Sequence, residues 1–185
     1  MKLTPLCLLL CAFCLLAACA STSEPPPEML PPASSRQAQL SSLYDRLGAD
    51  SESTGKAAAT EAAKGDERDL RFMASLWGSR QRSAVGARRF GDALSARASQ
   101  FRDGTSGVAY HQHAYDWYER AYLELPNDDP ALDWARYEMA RELVNMRRGK
   151  EAITLLGNRY GTNPLPADLA EKCNNLIREA EKLGS

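Results

Sequence analysis

The sequence predicts an all-α protein, and three observations carry this prediction. The chain of 185 residues holds only three valines and two isoleucines, which are residues that β-strands favour. Alanine, leucine, arginine and glutamate, which are good helix formers, are far more frequent. No segment alternates between apolar and polar residues with the two-residue period of a half-buried strand. We therefore expect helices packed on helices.

The first eighteen residues have the order of a secretory signal. Lys2 precedes an apolar run from Leu6 to Ala18, and small residues follow this run. The run is too short for a transmembrane helix, which needs ~20 residues. We expect residues 1–18 to be removed as a signal peptide, together with three of the five cysteines.

The segment Leu16-Ala17-Ala18-Cys19 resembles the lipobox of bacterial lipoproteins. This resemblance implies that the Cys19 sulfur is acylated and that Cys19 becomes the first mature residue. Two or more acyl chains give stable membrane anchoring. Because Ala20 rather than aspartate follows the cysteine, the resemblance also implies the outer membrane, facing the periplasm. The pattern Ala18-Cys19-Ala20 leaves open an ordinary cleavage that releases a soluble protein.

Proline dominates the residues that follow the predicted anchor. Residues 19–35 contain the run Pro25–Pro27 and the pair Pro31 and Pro32, and they hold little that a core would bury. Such a segment favours an extended conformation of about 3.1 Å per residue. We expect residues 19–35 to form a tether between the membrane and the folded part.

Residues 36–65 are predicted to form a short helix and a low-complexity linker. The helix runs from about Arg36 to Leu47, where Gly48 ends it. Its apolar face consists of Leu40, Leu43, Tyr44 and Leu47. The segment Ala49–Lys64 has high helix propensity but no apolar face of its own, so it is either a solvated helix or a second linker. We expect the ordered helical domain to cover residues 66–185.

Within this domain, apolar residues recur at helical spacing. The first such positions are Leu70, Met73, Ala74, Leu76 and Trp77, followed by Ala87, Phe90, Gly91 and Leu94. Gly104–Gly107 indicates a loop. The next helix, from Val108 to Leu125, is apolar over most of its circumference, so we expect it to lie between two neighbouring helices.

A turn bounded by two prolines separates that helix from the next one. Asp129 is suited to cap the new helix, with Pro130 in its first position. The helix is expected to end near Arg147, where Gly149 supplies the freedom to adopt a left-handed conformation.

Two further helices are expected after this point, from Glu151 to Tyr160 and from Pro166 to Leu183. The last one carries an apolar stripe, so it suits the role of a cap that closes the end of a helical array. Cys173 belongs to that stripe and is expected to be a small core residue.

The stretch from Val108 to Gly161 resembles the tetratricopeptide repeat family. Ala114-x-x-x-Tyr118-x-x-Ala121-x-x-x-x-Pro126 is similar to the second helix of one repeat. Met139-Ala140-x-x-Leu143 and Gly149-Lys150-Glu151-Ala152-Ile153-x-x-Leu156 are similar to the two helices of the next repeat. The resemblance implies helical hairpins of the α-solenoid type, flanked by irregular helices.

This resemblance also implies a groove lined by the inner face of residues 130–147. The residues expected to be exposed there are Trp134, Tyr137, Arg141 and Asn145. Aromatic residues and arginine are typical of binding hot spots. The alternative is that Trp134 and Tyr137 only pack on the preceding helix.

Charge is segregated along the chain. Ser79–Arg102 holds six arginines and one acid, whereas Tyr115–Glu142 is strongly acidic. These faces can pair with each other or remain solvated. The sharper hypothesis is a basic patch for anionic lipid or an acidic partner, made of Arg80, Arg82, Arg88, Arg89 and Arg97. The formal net charge of −1 argues against nucleic acid as a partner.

No arrangement of residues indicates an enzyme. His111 and His113 are the only histidines, and residues two apart on a helix point to different sides, which disfavours a metal site. Ser106 lies outside any nucleophile motif. We expect no cofactor and no small-molecule substrate.

The sequence thus predicts an envelope lipoprotein that acts as a docking adaptor for another envelope protein. A role in assembling an envelope complex is suggested only by analogy with other lipoproteins. The alternative is a structural lipoprotein that contacts anionic lipid or peptidoglycan through its arginine-rich segment.

Overall fold

The computed structural model describes residues 33–101, 104–158 and 164–183. These residues form helices, turns and irregular connections without a strand, so the predicted all-α class is confirmed. The helices of this part are α1 (Ala33–Leu47), α2 (Glu52–Ala62), α3 (Glu67–Ser79), α4 (Ala84–Ala98), α5 (Gly104–Glu124), α6 (Ala131–Asn145), α7 (Gly149–Gly157) and α8 (Ala167–Leu183). The signal peptide, Cys19 and most of the tether lie outside the described residues.

Helix α1 buries the face that the sequence predicts. Its four apolar residues, Leu40, Leu43, Tyr44 and Leu47, are all buried in the main core. The helix begins at Ala33, a few residues before the predicted start, and it contacts α2, α3 and α4. None of the helices described has the length and apolar character needed to cross a membrane.

Helix α2 differs from the expectation of a linker or a solvated helix. Gly55, Ala58, Ala59 and Ala62 are buried, and the three alanines belong to the same core as α1. A stripe of small residues escapes notice in a pattern of large apolar ones, yet it lets two helix backbones approach closely. The helical body therefore starts with α1 rather than at Asp66.

Helices α3, α4 and α5 enclose the aromatic centre of the main core. The ring centroids of Trp77 and Trp117 are 5.6 Å apart, and those of Phe90 and Trp117 are 4.8 Å apart. The Asp66 side chain accepts hydrogen bonds from two backbone N–H groups and thereby caps α3. Side-chain caps of this kind start a helix at a defined residue.

The expected loop at Gly104–Gly107 is instead the first turn of α5. Glycine and hydroxyl residues are tolerated there because the first N–H groups of a helix lack intrahelical acceptors in any case. Gly107 is buried, and a Cβ atom at this position would lie 3.5 Å from the carbonyl oxygen of Ala98. This turn is therefore packed against the end of α4 rather than forming an open loop.

Helix α6 begins at Ala131, one residue after the predicted first position, and it also ends differently. The Asp129 carboxylate accepts a hydrogen bond from the Ala131 N–H at 2.8 Å, with Pro130 between them. At the other end Arg147, not Gly149, adopts the left-handed conformation, with φ of 60°. The N–H groups of Arg147 and Arg148 donate to the carbonyls of Val144 and Leu143, which is the Schellman pattern.

The remaining helices form consecutive hairpins. Helix α5 packs on both α4 and α6, which confirms its predicted place between two neighbours, and α6, α7 and α8 enclose a second core. Gly149 serves in close packing, because a Cβ atom there would overlap the Ala180 carbonyl oxygen of α8. Cys173 is buried on α8, as expected.

Candidate functional site

A buried polar cluster joins α4, α5 and α6. At its centre the side chain of Glu142 is 0% exposed. One carboxylate oxygen accepts a hydrogen bond from Ser95 Oγ at 2.8 Å, and the other lies 2.6 Å from His111 Nδ1. A buried carboxylate requires such partners, because its desolvation would otherwise cost several kcal/mol, on the order expected for an ion in a protein interior. The cluster fixes the relative positions of the three helices.

Arg141 extends this cluster toward the surface of α6. Its Nη1 atom lies 2.6 Å from Glu138 Oε2, and its Nη2 atom lies 3.1 Å from Glu142 Oε1. Burial by itself would lower the pKa of Arg141, but Glu138, the Tyr118 hydroxyl group and Glu142 have the larger combined effect and raise it. The guanidinium is therefore held in place as a cation.

Two further groups complete the polar surface between α4 and α6. The Tyr118 hydroxyl donates a hydrogen bond to Asp92 Oδ1 at 2.7 Å, and burial raises the pKa of Tyr118 far above its ordinary value. Burial also raises the pKa of Glu138, an effect that Arg141 opposes and that Asp92 and Glu142 reinforce. Asp92 is exposed, so this surface presents carboxylates beside the held guanidinium.

An aromatic pair lies beside these charges on α6. Trp134 and Tyr137 are half-buried, and their rings meet edge to face with centroids 6.2 Å apart. Tyr137 also packs against the core that α6, α7 and α8 share. Burial, and then the charge of Glu138, raises the pKa of Tyr137. The packing of Tyr137 on the core thus holds the pair in place, while part of each ring stays accessible.

The four predicted binding residues share one face of α6 but differ in their exposure and contacts. Asn145 is exposed, and Trp134 and Tyr137 are half-exposed. The Arg141 side chain is 35% exposed, and its two ion pairs occupy the guanidinium. Arg141 therefore differs from the expected exposed hot spot, since it holds the surface together. The spacing on α6 identified the face, whereas the role of Glu138 was hidden in a longer acidic run.

The predicted basic patch is mostly occupied by contacts within the chain. Arg80 Nη1 lies 2.7 Å from an oxygen of Asp45, and Arg82 Nη1 lies 3.1 Å from an oxygen of Glu124. The Arg97 guanidinium lies over the Phe101 ring at 5.1 Å. Of these three arginines, only Arg82 pairs with the acidic segment Tyr115–Glu142, because Asp45 lies outside that segment and Phe101 is uncharged.

The neighbouring residues Arg88 and Arg89 have opposite surroundings. Arg88 is exposed, whereas the Arg89 side chain is only 8% exposed. Arg89 donates to the carbonyls of Leu47 and Ala49 and to the Glu52 carboxylate. Arg89 was expected in the surface patch, and this expectation is wrong because the side chain turns inward to bind the carbonyl end of α1.

The two histidines contact different helices. His111 contacts Glu142 on α6, whereas His113 Nε2 lies 2.7 Å from Glu67 Oε2 on α3. The hydrogen bond from His113 is the main reason why the pKa of Glu67 is lowered, with a second contribution from Arg71. Within the described part of the chain, no three His, Cys, Asp or Glu side chains are grouped so that they could hold a metal ion.

The segment that resembles the tetratricopeptide repeat spans α5, α6 and α7 and includes the aromatic pair and part of the buried cluster, whose Ser95 lies outside it on α4. Its small residues Ala114 and Ala152 are both fully buried, as close helix crossings require. The chain matches no protein-family model, no curated protein and no solved structure in the comparisons made with each.

Proposed function

We propose that this protein is a lipid-anchored envelope protein that docks another envelope protein on the exposed face of α6. We define this docking face as Trp134, Tyr137 and Asn145 together with Glu138 and Asp92. The observation that carries the proposal is the half-exposed aromatic pair fixed beside a half-buried ion pair. Binding energy concentrates on such supported aromatic residues.

The polar cluster beneath the docking face supports the same proposal. Glu142 fixes Ser95, His111 and Arg141, and Arg141 in turn fixes Glu138. A surface whose side chains are already held loses little conformational entropy when a partner binds. Such preorganisation suits a docking face better than a flexible one.

The anchor and the address belong to the proposal as well. The lipobox-like segment ending at Cys19 supports lipidation, and the absence of aspartate at position 20 supports the outer membrane with the body facing the periplasm. The hairpins of α5, α6 and α7 support a body of the tetratricopeptide type. We propose no catalytic activity and no cofactor.

The arginine-rich alternative has weaker support. Arg80, Arg82, Arg89 and Arg97 all contact other groups of this chain. A lipid or peptidoglycan surface would have to compete with these contacts. Arg88 is the member of the predicted patch that remains exposed without a close ion pair in the described residues.

The docking face is tested with the double variant Trp134→Ala, Tyr137→Ala. We expect the crosslinked partner recovered from intact envelopes to fall at least about tenfold, because loss of two hot-spot residues costs more than about 1.4 kcal/mol. Crosslinking followed by mass spectrometry measures the recovery, and circular dichroism verifies that the helices persist.

Two control variants sharpen the result. Leu123→Ala truncates a residue of α5 that is 71% exposed, and it should leave capture unchanged. Arg88→Glu reverses the exposed charge of the basic segment. Unchanged capture by the double variant would refute the docking face, and a loss confined to Arg88→Glu would favour the arginine-rich alternative.

A further inference from the structure

The docking face of α6 has one guanidinium that serves two carboxylates. The Nη1 atom of Arg141 lies 2.6 Å from Glu138 Oε2, and its Nη2 atom lies 3.1 Å from Glu142 Oε1. The Glu142 side chain is 0% exposed, so a binding partner cannot reach it and relieve Arg141 of this contact. The positive charge of Arg141 is therefore divided between a buried acid and an acid at the surface, and Glu138 is neutralised only in part.

Asp92 adds a second carboxylate on the α4 side of this face. It is exposed, and it accepts its hydrogen bond from the uncharged Tyr118 hydroxyl at 2.7 Å. Arg88 lies one turn earlier on α4 and is also exposed. Both charges act on Glu138, where Asp92 disfavours the ionised carboxylate and Arg88 favours it.

Carboxylates remain in excess when the opposing cations are counted. The groups described so far are the carboxylates of Asp92, Glu138 and Glu142 and the guanidiniums of Arg88 and Arg141. Asp133 and Arg136, which flank Trp134 and its neighbour in the chain, lie 3.7 Å apart and offset each other. Glu179 of α8 also acts on the Tyr137 hydroxyl, so the excess persists even if His111, which contacts Glu142, carries a proton.

The surroundings of Glu138 show the effect of this excess. Burial raises the pKa of Glu138, Arg141 opposes the rise, and Asp92 and Glu142 reinforce it. Desolvation and like charges both disfavour the ionised form of a carboxylate. A further cation beside Glu138 would stabilise that form.

The aromatic pair attracts charge of the same sign. The face of an aromatic ring attracts an ammonium or guanidinium group within about 6 Å of its centroid. Trp134 and Tyr137 are partly exposed, and Glu138 lies one turn after Trp134 on α6. Arginine and lysine bury their methylene stems on apolar surface while the charged head stays outside. A ring and a carboxylate on adjacent turns therefore suit a long basic side chain.

We propose that the docking face binds a basic segment of its partner protein, with an arginine or lysine side chain against Trp134 and Tyr137 and its charge toward Glu138 and Asp92. This inference rests on the proposed function, because it names the chemistry of the partner that the docking face holds. The rings and the carboxylates both attract a cation, whereas an acidic segment is repelled.

The probe for this proposal is an acetylated and amidated hexapeptide of alternating glycine and arginine, titrated into the protein labelled with nitrogen-15 at low salt. We expect a saturable shift of the Trp134 indole N–H signal, whereas the signals of the buried residues Trp77 and Trp117 should stay in place. The same peptide with citrulline in place of arginine has nearly the same shape but no charge. It should bind at least about fivefold more weakly.

Charge variants of the protein locate the site. Asp92→Asn keeps an oxygen that accepts from Tyr118 but removes the charge, and it should weaken binding at least about threefold. Arg88→Gln removes an opposing cation and should strengthen binding. Glu119→Gln, which neutralises an exposed acid of α5 outside the docking face, is the matched control and should leave binding unchanged. Circular dichroism verifies that each variant remains helical, and Arg88→Gln provides the second position if Asp92→Asn disturbs Tyr118.

The results separate this proposal from the docking face itself. Absence of a saturable shift at Trp134, equal affinity for the citrulline peptide, or equal effects of Asp92→Asn and Glu119→Gln would each overturn the basic partner. The docking face would still stand in that case if the double variant Trp134→Ala, Tyr137→Ala loses the crosslinked envelope protein. Retention of that protein by the double variant would instead refute the docking face.

Discussion

Arg89 is a surface residue by its type and a core residue by its contacts. Its guanidinium donates to the Leu47 carbonyl at 3.1 Å and to the Ala49 carbonyl at 2.7 Å. These carbonyls lie at the end of α1, where a helix leaves acceptors without intrahelical donors. Arg89 therefore ties α4 to the end of α1 and, through Glu52, to the start of α2.

Replacing Arg89 with alanine should lower the free energy of unfolding by about 2–4 kcal/mol, because the buried carbonyls lose charged donors. Replacing the adjacent Arg88 with alanine should change it by less than about 0.5 kcal/mol, since that side chain is exposed. Urea denaturation measures both values. Equal effects of the two substitutions would contradict the inward placement of Arg89.

Arg147 is a second residue whose structure differs from what the sequence predicts. It occupies the left-handed position of the Schellman pattern, where glycine is usual. A non-glycine residue in this conformation costs about 1–2 kcal/mol. The hydrogen bonds of the Schellman pattern and the packing of α7 on α6 offset this cost.

At the scale of elements, the contact between α4 and α5 depends on the absence of a side chain. A Cβ atom at Gly91 would lie 2.8 Å from Cε1 of the Tyr118 ring. That ring is fully buried and is fixed by its hydrogen bond to Asp92, so it has no room to move away. Gly91 thus sets how closely the two helices cross.

We expect Gly91→Ala to destabilise the protein by about 1 kcal/mol or more, because the steric strain of overpacking exceeds the gain in helix propensity. Gly78→Ala in α3 is the matched control, since nothing lies within 4 Å of the added atom. That control should raise stability by up to about 1 kcal/mol. Thermal denaturation tests both, and stabilisation by both substitutions would disprove the close crossing.

At the scale of the whole molecule, the proposal gives the helical body and the predicted anchor separate tasks. The body begins with α1, so the segment available as a tether ends where that helix starts at Ala33. Residues 20–32 then remain between Cys19 and the helical body. At about 3.1 Å per residue for an extended Pro-rich segment, a tether of this length would let the proposed anchor hold the body tens of ångströms from the membrane.

Labelled palmitate should enter the wild-type protein in cells, whereas Cys19→Ser should lose the label, because only the cysteine sulfur forms the thioether to lipid. Cys173→Ser, which changes a buried cysteine of α8, is the matched control and should keep the label. Incorporation into the Cys19→Ser protein, or into none of the three proteins, would refute the lipobox assignment.

Much of the fold could be predicted from the sequence, and the misses have a common cause. Leu40, Leu43 and Tyr44 revealed α1 because large apolar side chains report their burial directly. The alanine stripe of α2 did not reveal that this helix belongs to the core. Small residues gain little free energy from burial, and they act by letting two helix backbones come close together. The candidate site was predicted in part: the spacing on α6 located Trp134 and Tyr137. The same helix places Glu138 three residues before Arg141, a spacing at which side chains can pair. No pattern in the sequence connects Arg141 to Tyr118 on α5.

The sequence by itself determined the helical class, the order of the main helices, the cap at Asp129 and the lipobox-like segment, because these features depend on neighbours within a few residues. Only the tertiary structure decided which charged residues are buried and which are exposed. Arg89 is buried, Arg88 is exposed and Glu142 is enclosed. Each of these states depends on which distant carbonyl or carboxylate comes within hydrogen-bond distance, and such distances exist only once the helices have packed.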